Sequence, residues 1–330
     1  MAPAPRVETN EIKSSALELI GNTPLVALDR LHPGPGRILA KCEFMNPGGS
    51  IKDRSSLYMI NAALKNCELK PGNPILEVTS GNQGCGLAVV AAVKDHPLTI
   101  YMSAGNSEQR AVQMEACGAK CIRVPQVEGV YGKVTYADVQ AAEEECLKTV
   151  EKTGHFLVNQ FYNEANVQAH YEMTGPEIWR QTGGHVDGFV ATAGTSGTFS
   201  GTSKYLKEKN PAMKAYIIEP EGAEVIAGKP VWKACHKLQG SGYGVVPALF
   251  KYDVMDGTLS VSDEEAVHYK RLLGVKEGLY VGYTSGANVA AAVKLLQAGS
   301  LPEDAWVVTM LNDTGLKYSP TPDEVKSDDS

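Results

Sequence analysis

One lysine sets the chemical question. In the stretch NPGGSIKDRSS, residues 46–56, Lys52 follows a proline, two glycines and a serine and opens a helical pattern. Glycines permit close backbone approach, and a helix start offers free N–H groups at the positive end of its dipole. Taken alone, the stretch reads equally well as a charged helix start, since most lysines are solvated surface charges. Three further loops combine glycine with hydroxyl side chains: TSGNQGCG (79–86), AGTSGTFSG (193–201) and VGYTSGAN (281–288). All four loops are expected to follow strands directly, where an open α/β sheet places its ligands. Any one of them reads as helix caps and turns. Four together call for a ligand.

The loop after GFVATA carries the clearest chemistry. Gly194, Thr195, Ser196, Gly197 and Thr198 join small residues and hydroxyl donors at a helix start, which is a phosphate cradle. Neither the dinucleotide fingerprint G-x-G-x-x-G nor the nucleoside-triphosphate pattern G-x-x-x-x-G-K-[ST] is present there. A phosphate without a nucleotide motif, beside an isolated lysine in a second glycine loop, points to pyridoxal phosphate held as a Schiff base on Lys52.

The elements that must position these loops alternate along the chain. RILAKCEF, PILEVT, LTIYM, KCIRVP, DGFVATA, KAYIIEP and AWVVTML read as strands, and longer helical patterns separate them. Continuous apolar strands alternating with helices imply an α/β fold of parallel-rich sheets flanked by helices. Residues 219–250, rich in Gly and Pro, break that rhythm and read as an extended connecting or functional segment. The chain has 330 residues, 43% hydrophobic, with a net charge of −7. With no Lys/Arg-dense block, that balance argues against nucleic acid and polybasic membrane binding and favours a small-molecule partner. No apolar stretch nears the ~20 residues of a membrane span, and the first residues lack a secretory signal, so a cytoplasmic location is expected. The seven cysteines form no C-x-x-C pair and have no histidine at zinc-like spacing. They are read as reduced, mostly buried small hydrophobes, with no metal site.

A series of motifs then runs through the chain: IGNTPLV (20–26), NPGGSIKDR, TSGNQG, NQFYNEAN, HYEMTGPEIW, GTSGT, HKLQGSGYG, EGLYVGYTSGAN and NDTGLKY (312–318). By these the chain resembles the cysteine synthase (O-acetylserine sulfhydrylase) branch of the pyridoxal-phosphate β-substitution enzymes, together with the catalytic core of cystathionine β-synthase. The resemblance implies fold type II, the two-domain fold of the tryptophan synthase β-subunit type. Its smaller domain would span 47–158 and its larger one 13–46 plus 159–318, with 1–12 and 319–330 as disordered tails. No haem-binding extension or regulatory module is expected. Lys52 would bind the cofactor and shuttle the α-proton, while Gly194, Thr195, Ser196, Gly197 and Thr198 hold the phosphate. Asn82 would meet the ring hydroxyl and Thr284 the pyridine nitrogen. Thr79, Ser80, Asn82 and Gln160 would hold the substrate carboxylate.

The reaction implied is β-replacement on an activated serine, O-acetylserine by default, with sulfide, through an aminoacrylate. Alternatives are a cystathionine β-synthase-like or other β-substituted alanine synthase using cyanide or an amine, and a cofactor-binding metabolite sensor or partner-docking paralogue. A homodimer and docking of a serine acetyltransferase-like C-terminus also follow from the resemblance. Gln83, Asn106 and Tyr243 depart from the usual cysteine synthase pattern and are expected to line the substrate pocket.

Overall fold

A computed structural model of the chain describes residues 12–132 and 134–318. Apart from Ile12, the tails expected to be disordered lie outside the described residues. In chain order the elements are β1 (Leu25–Ala27), β2 (Arg37–Cys42), α1 (Lys52–Lys65), β3 (Ile75–Val78), α2 (Asn82–Val93), β4 (Leu98–Ser103), α3 (Glu108–Ala116), β5 (Lys120–Val124) and α4 (Tyr136–Thr153). There follow β6 (Phe156–Leu157), α5 (Ala165–Ala169), α6 (Gly175–Gln181), β7 (Gly188–Thr192), α7 (Gly197–Lys209), β8 (Lys214–Pro220), β9 (Gly257–Val261), α8 (Asp263–Glu277), α9 (Tyr283–Gln297) and β10 (Trp306–Leu311). Among the described residues no helix is long and apolar enough to cross a membrane.

The strands sort into two sheets. One has four strands in the order β5-β4-β3-β6, and the other six in the order β1-β2-β10-β7-β8-β9. Every recorded pairing is parallel except β1 with β2. β3 and β7 are buried along their whole length, which is why they read as unbroken apolar runs. Two helices start where local chemistry dictates: Thr135 caps α4 and Ser262 caps α8, each in a reciprocal capping box. Both then stop at a left-handed glycine, Gly154 and Gly278. Leu87, Val90 and Ile100 pack in the core of the small sheet, while Val190, Ile218 and Val307 centre one core of the large sheet.

Three sequence expectations change. Two glycine loops do not follow a strand directly: a single 3-10 turn, Glu43–Met45, separates the first from β2, and before the fourth Val281 makes only one antiparallel bridge, to Thr314, with α9 beginning at Tyr283. The placement of the fourth loop comes from segment 312–314, about 30 residues further along the chain. The short strands β1, β6 and β9 were not read, since three, two and five residues carry too little pattern. All seven cysteines are free, but only Cys42, Cys85 and Cys146 are buried. Cys67 sits in a turn at φ +61° after α1, and Cys235 is exposed in the irregular segment.

Candidate active site

Lys52 is the first residue of α1, and its surroundings are built from both ends of the chain. Ile51 N–H donates to Asn312 O (2.8 Å), and Thr314 N–H to Gly49 O (3.2 Å). On the other side of the same segment, Gly282 N–H donates to Asp313 O (3.0 Å). Three stretches therefore lie side by side, and the two outer ones, ahead of Lys52 and ahead of Thr284, are about 10 Å apart at ordinary strand spacing. The start of α2 presses on α1 from a third direction: a Cβ on Gly86 would stand 3.0 Å from Lys52 C and Asp53 N. The Lys52 ammonium makes no hydrogen bond or ion pair among the described residues. Burial brings its pKa down from 10.5 to about 8, so the neutral amine is accessible near neutral pH.

The loop at the start of α7 is shaped for an anion. Ser196 stands at φ +66° as the N-cap of α7, and its Oγ is buried without a partner. Asn166 donates to Thr195 Oγ1 (2.9 Å) and to Gln160 O (3.0 Å), leaving its Oδ1 buried and unpartnered. A Cβ on Gly197 would come within 2.2 Å of that Oδ1, so glycine alone permits the approach. His170 Nε2 lies 3.2 Å from Thr198 Oγ1 and its Nδ1 2.9 Å from Thr174 Oγ1. Burial, then the charges of Arg54 and Lys52, hold His170 neutral, with its pKa well below the usual value. Hydroxyls and an amide around the free N–H groups of a 13-residue helix suit a phosphate.

Asn82 opens α2. Its Nδ2 donates to Asp313 Oδ2 (2.7 Å), and its Oδ1 accepts from Lys317 Nζ (3.0 Å). Lys317 also donates to Gly48 O (2.7 Å), and Tyr318 OH to Asp313 Oδ2 (2.8 Å). Thr79 Oγ1 accepts from Gly81 N–H (3.0 Å), and Gln160 Nε2 donates to Val78 O (3.1 Å). Arg110 Nη1 donates to Ser80 O (2.9 Å). Ser80 Oγ and Tyr243 OH are 3.2 Å apart, and Phe161 packs edge-on against the Tyr243 ring at 6.0 Å. Ser80, Asn106, Tyr243, Tyr283 and Tyr318 help line a cavity of about 560 Å³.

Residues 16–313 match the pyridoxal-phosphate dependent enzyme family. The chain belongs to that family. Its members' cofactor, pyridoxal phosphate, fits the neutral donors at the start of α7 and the unpaired amine of Lys52. Cysteine synthase 1 of Neurospora crassa is 39% identical over 311 residues, covering 91% of this chain and 80% of that protein. Among solved structures, a cysteine synthase from Entamoeba histolytica superposes with a TM-score of 0.88 at 34% identity, over 99% of this chain and 94% of its own. An O-acetylserine dependent cystathionine β-synthase from Helicobacter pylori gives 0.84 at 34% identity, over 93% of this chain and 97% of its own.

Two of the three departures from the usual pattern, Asn106 and Tyr243, line the cavity; Gln83 does not. As the second residue of α2 it points at α1, where its Nε2 donates to Ser56 Oγ (2.7 Å) and its Oε1 accepts from Ser55 Oγ (2.9 Å). It joins the two helices that carry Lys52 and Asn82. Thr284 lies in the first turn of α9, half-buried, and its hydroxyl has no partner among the described residues.

Sequence reasoning missed the support beneath Lys52. The charged run Lys52-Asp53-Arg54 is no solvated face, for Asp53 and Arg54 are fully buried. Arg54 donates to both oxygens of Glu43 (2.7 and 2.8 Å) and both of Glu177 (2.7 and 2.8 Å), and Lys41 donates to Glu177 (2.7 Å). Burial alone would raise the Glu177 pKa; Arg54, helped by Lys41, brings it down to about 2. Two cations and two carboxylates thus join β2, α6 and the start of α1. His170 was missed as well, although it lies in the quoted motif HYEMTGPEIW; it opens a π-helical turn, His170–Thr174, and its spacing of four residues from Thr174 was the available signal.

Proposed function

We propose that the protein catalyses β-replacement on an activated serine, O-acetylserine by default, with sulfide as the nucleophile and cysteine as the product. The observation that carries this reading is the buried, unpaired amine of Lys52, its pKa near 8, on a helix whose entry loop is tied through Lys317 to Asn82 and near enough to His170, beside the anion-shaped loop, for its charge to act there. When bound, pyridoxal phosphate supplies the electron sink that lets an α-proton and then a β-substituent leave.

The chain's own residues divide the remaining work. Lys52 Nζ holds the cofactor through its amine and, once released, takes the α-proton and returns it. Gly194, Thr195, Ser196, Gly197 and Thr198 bind the phosphate, with neutral His170 orienting the Thr198 hydroxyl. Asn82 donates to the ring oxygen. Thr284 meets the ring nitrogen with a neutral hydroxyl, which leaves that nitrogen without a counter-charge and favours departure of a leaving group over a long-lived carbanion. Thr79, Ser80, Gln160 and the backbone N–H of Asn82 bind the substrate carboxylate, and Asn106 and Tyr243 line the approach of the nucleophile. The division into 47–158 and 13–46 plus 159–318 is supported by the two separate sheets. Homodimer assembly, a cytoplasmic location and docking of a serine acetyltransferase-like C-terminus rest on the family resemblance.

One observation favours a second reading. The contact of Tyr243 OH with Ser80 Oγ puts a phenol beside a carboxylate-binding residue, which suits a larger polar nucleophile of the cystathionine β-synthase kind. The test is direct. Protein loaded with pyridoxal phosphate is reduced with borohydride and mapped by mass spectrometry, then assayed with serine, O-acetylserine and O-phosphoserine against sulfide and homocysteine. The proposal expects the label on Lys52 and fastest turnover of O-acetylserine with sulfide. Preference for homocysteine selects the second reading, and a label elsewhere than Lys52 overturns both.

A further inference from the structure

We infer that Asp313 and Lys317 are positioning residues that fix the side-chain amide of Asn82, so that one of its N–H bonds is left to meet the cofactor's ring oxygen. The inference rests on the reading that Asn82 faces that ring. The two ends of an asparagine amide are nearly the same shape, so its orientation is set by its partners alone. Here the partners admit one answer. The Asp313 carboxylate can only accept and takes a proton from Nδ2 at 2.7 Å, while the Lys317 ammonium can only donate and gives to Oδ1 at 3.0 Å. A flipped amide would set its oxygen against the carboxylate and its nitrogen against the ammonium. Of the two N–H bonds on Nδ2, the carboxylate engages one, and the second is free for a ligand.

Both partners are held as firmly as the amide they hold. Asp313 is 1% exposed and Lys317 3% exposed. Tyr318 OH donates to the same Asp313 oxygen, and Lys317 Nζ also donates to Gly48 O, in the loop that leads to Lys52. One ammonium therefore ties the Lys52 loop to the Asn82 loop. The other Asp313 oxygen, Oδ1, is buried with no donor, so the carboxylate is placed for what Oδ2 does rather than for its own satisfaction. A cation on the amide oxygen also draws density from the nitrogen and strengthens its N–H bonds as donors. All of this comes from one short stretch past β10, where the single turn Gly315–Lys317 is capped by the Thr314 hydroxyl.

The test uses the cofactor-loaded enzyme and pairs each disruptive variant with a conservative one. Lys317→Met removes the donor and Lys317→Arg keeps one; Asp313→Leu removes the acceptor and Asp313→Asn keeps an acceptor oxygen. The readouts are borohydride labelling of Lys52, the visible absorption band of the cofactor, and kcat with O-acetylserine and sulfide. Lys317→Met and Asp313→Leu are expected to take label at Lys52 but to shift the band to shorter wavelength, as a ring oxygen loses its donor and takes up a proton. Their kcat is expected to fall about 100-fold, the scale of a misplaced catalytic group. Lys317→Arg and Asp313→Asn are expected to keep the wild-type band. The inference is overturned if both disruptive variants keep that band, or if the conservative ones are damaged equally. Should Lys317→Met fail to fold by circular dichroism, the Asp313 pair decides the matter by the same criteria. Wild-type protein without label on Lys52 would sink the reading of the site, a different outcome from any of these.

Discussion

Replacing Gln83 by methionine separates a structural role from a role in specificity. Methionine matches glutamine in length and lacks hydrogen bonds, so the change removes the links to Ser55 and Ser56 and little else. Two net hydrogen bonds amount to about 1–3 kcal/mol. The structure pulls the figure toward the lower end, because each serine keeps another acceptor: Ser55 Oγ lies 3.1 Å from Lys52 O, and Ser56 Oγ 3.4 Å from Gln83 O. The expectation is a loss of about 1–2 kcal/mol, and more for Gln83→Thr, which also empties volume from a site 1% exposed. Urea unfolding of the cofactor-free protein measures it, as a lower midpoint at unchanged slope. Competition among sulfide, cyanide and homocysteine on one donor supplies the second arm, and both variants should rank them as the wild type does. Unchanged stability together with a changed ranking would refute the reasoning and return Gln83 to the pocket.

Three other outcomes are expected. Capture of pyridoxal phosphate by the cofactor-free protein should quicken with pH as the Lys52 amine loses its proton and level off above about pH 8; a rate still climbing steeply near pH ~10, where an ordinary lysine titrates, contradicts the lowered pKa. Arg54→Met leaves two buried carboxylates, of which Lys41 bonds Glu177 alone, and should cost about 3–5 kcal/mol in urea unfolding. Arg54→Lys should fall between it and the wild type, since one ammonium cannot span both carboxylates, and a wild-type midpoint for Arg54→Met would show the network to be dispensable. Thr284→Ser should leave turnover unchanged while Thr284→Ala slows it about tenfold, the scale of one lost hydrogen bond; equal behaviour of the two variants would remove Thr284 from the ring nitrogen.

What could be read from the sequence is what local physics determines. Strands buried on both faces announce themselves as apolar runs, as β7 and β10 do, and Ser262 and Thr135 mark helix starts by their own hydrogen bonds. Lys52, Ser196 and Gly197 stood out because glycine and hydroxyl loops have few other uses in combination. Arg54, Lys317 and Asp313 did not, since their importance lies in partners more than 100 residues away, such as Glu177 for Arg54. The bonds of Gln83 to Ser55 and Ser56 were hidden for a subtler reason: neighbours in a helix point about 100° apart, so a place next to Asn82 says nothing about sharing its direction. The pairing of β2 with β10 is likewise invisible locally, because only the assembled sheet brings Arg37 opposite Trp306.

That pairing also sets the order in which the protein can assemble as it is made. β10 is inserted between β2 and β7, so neither of those strands has its neighbour until residues 306–311 have been synthesised. At roughly 5–20 residues per second, β2 waits on the order of 10 to 50 s after leaving the ribosome. The small sheet, drawn wholly from residues 75–157, suffers no such delay and can close while translation continues. For that interval the nascent chain carries a finished small sheet and two open strand edges. The demand for chaperone protection therefore falls on β2 and β7, and a ribosome stalled before β10 releases a chain prone to edge-to-edge aggregation.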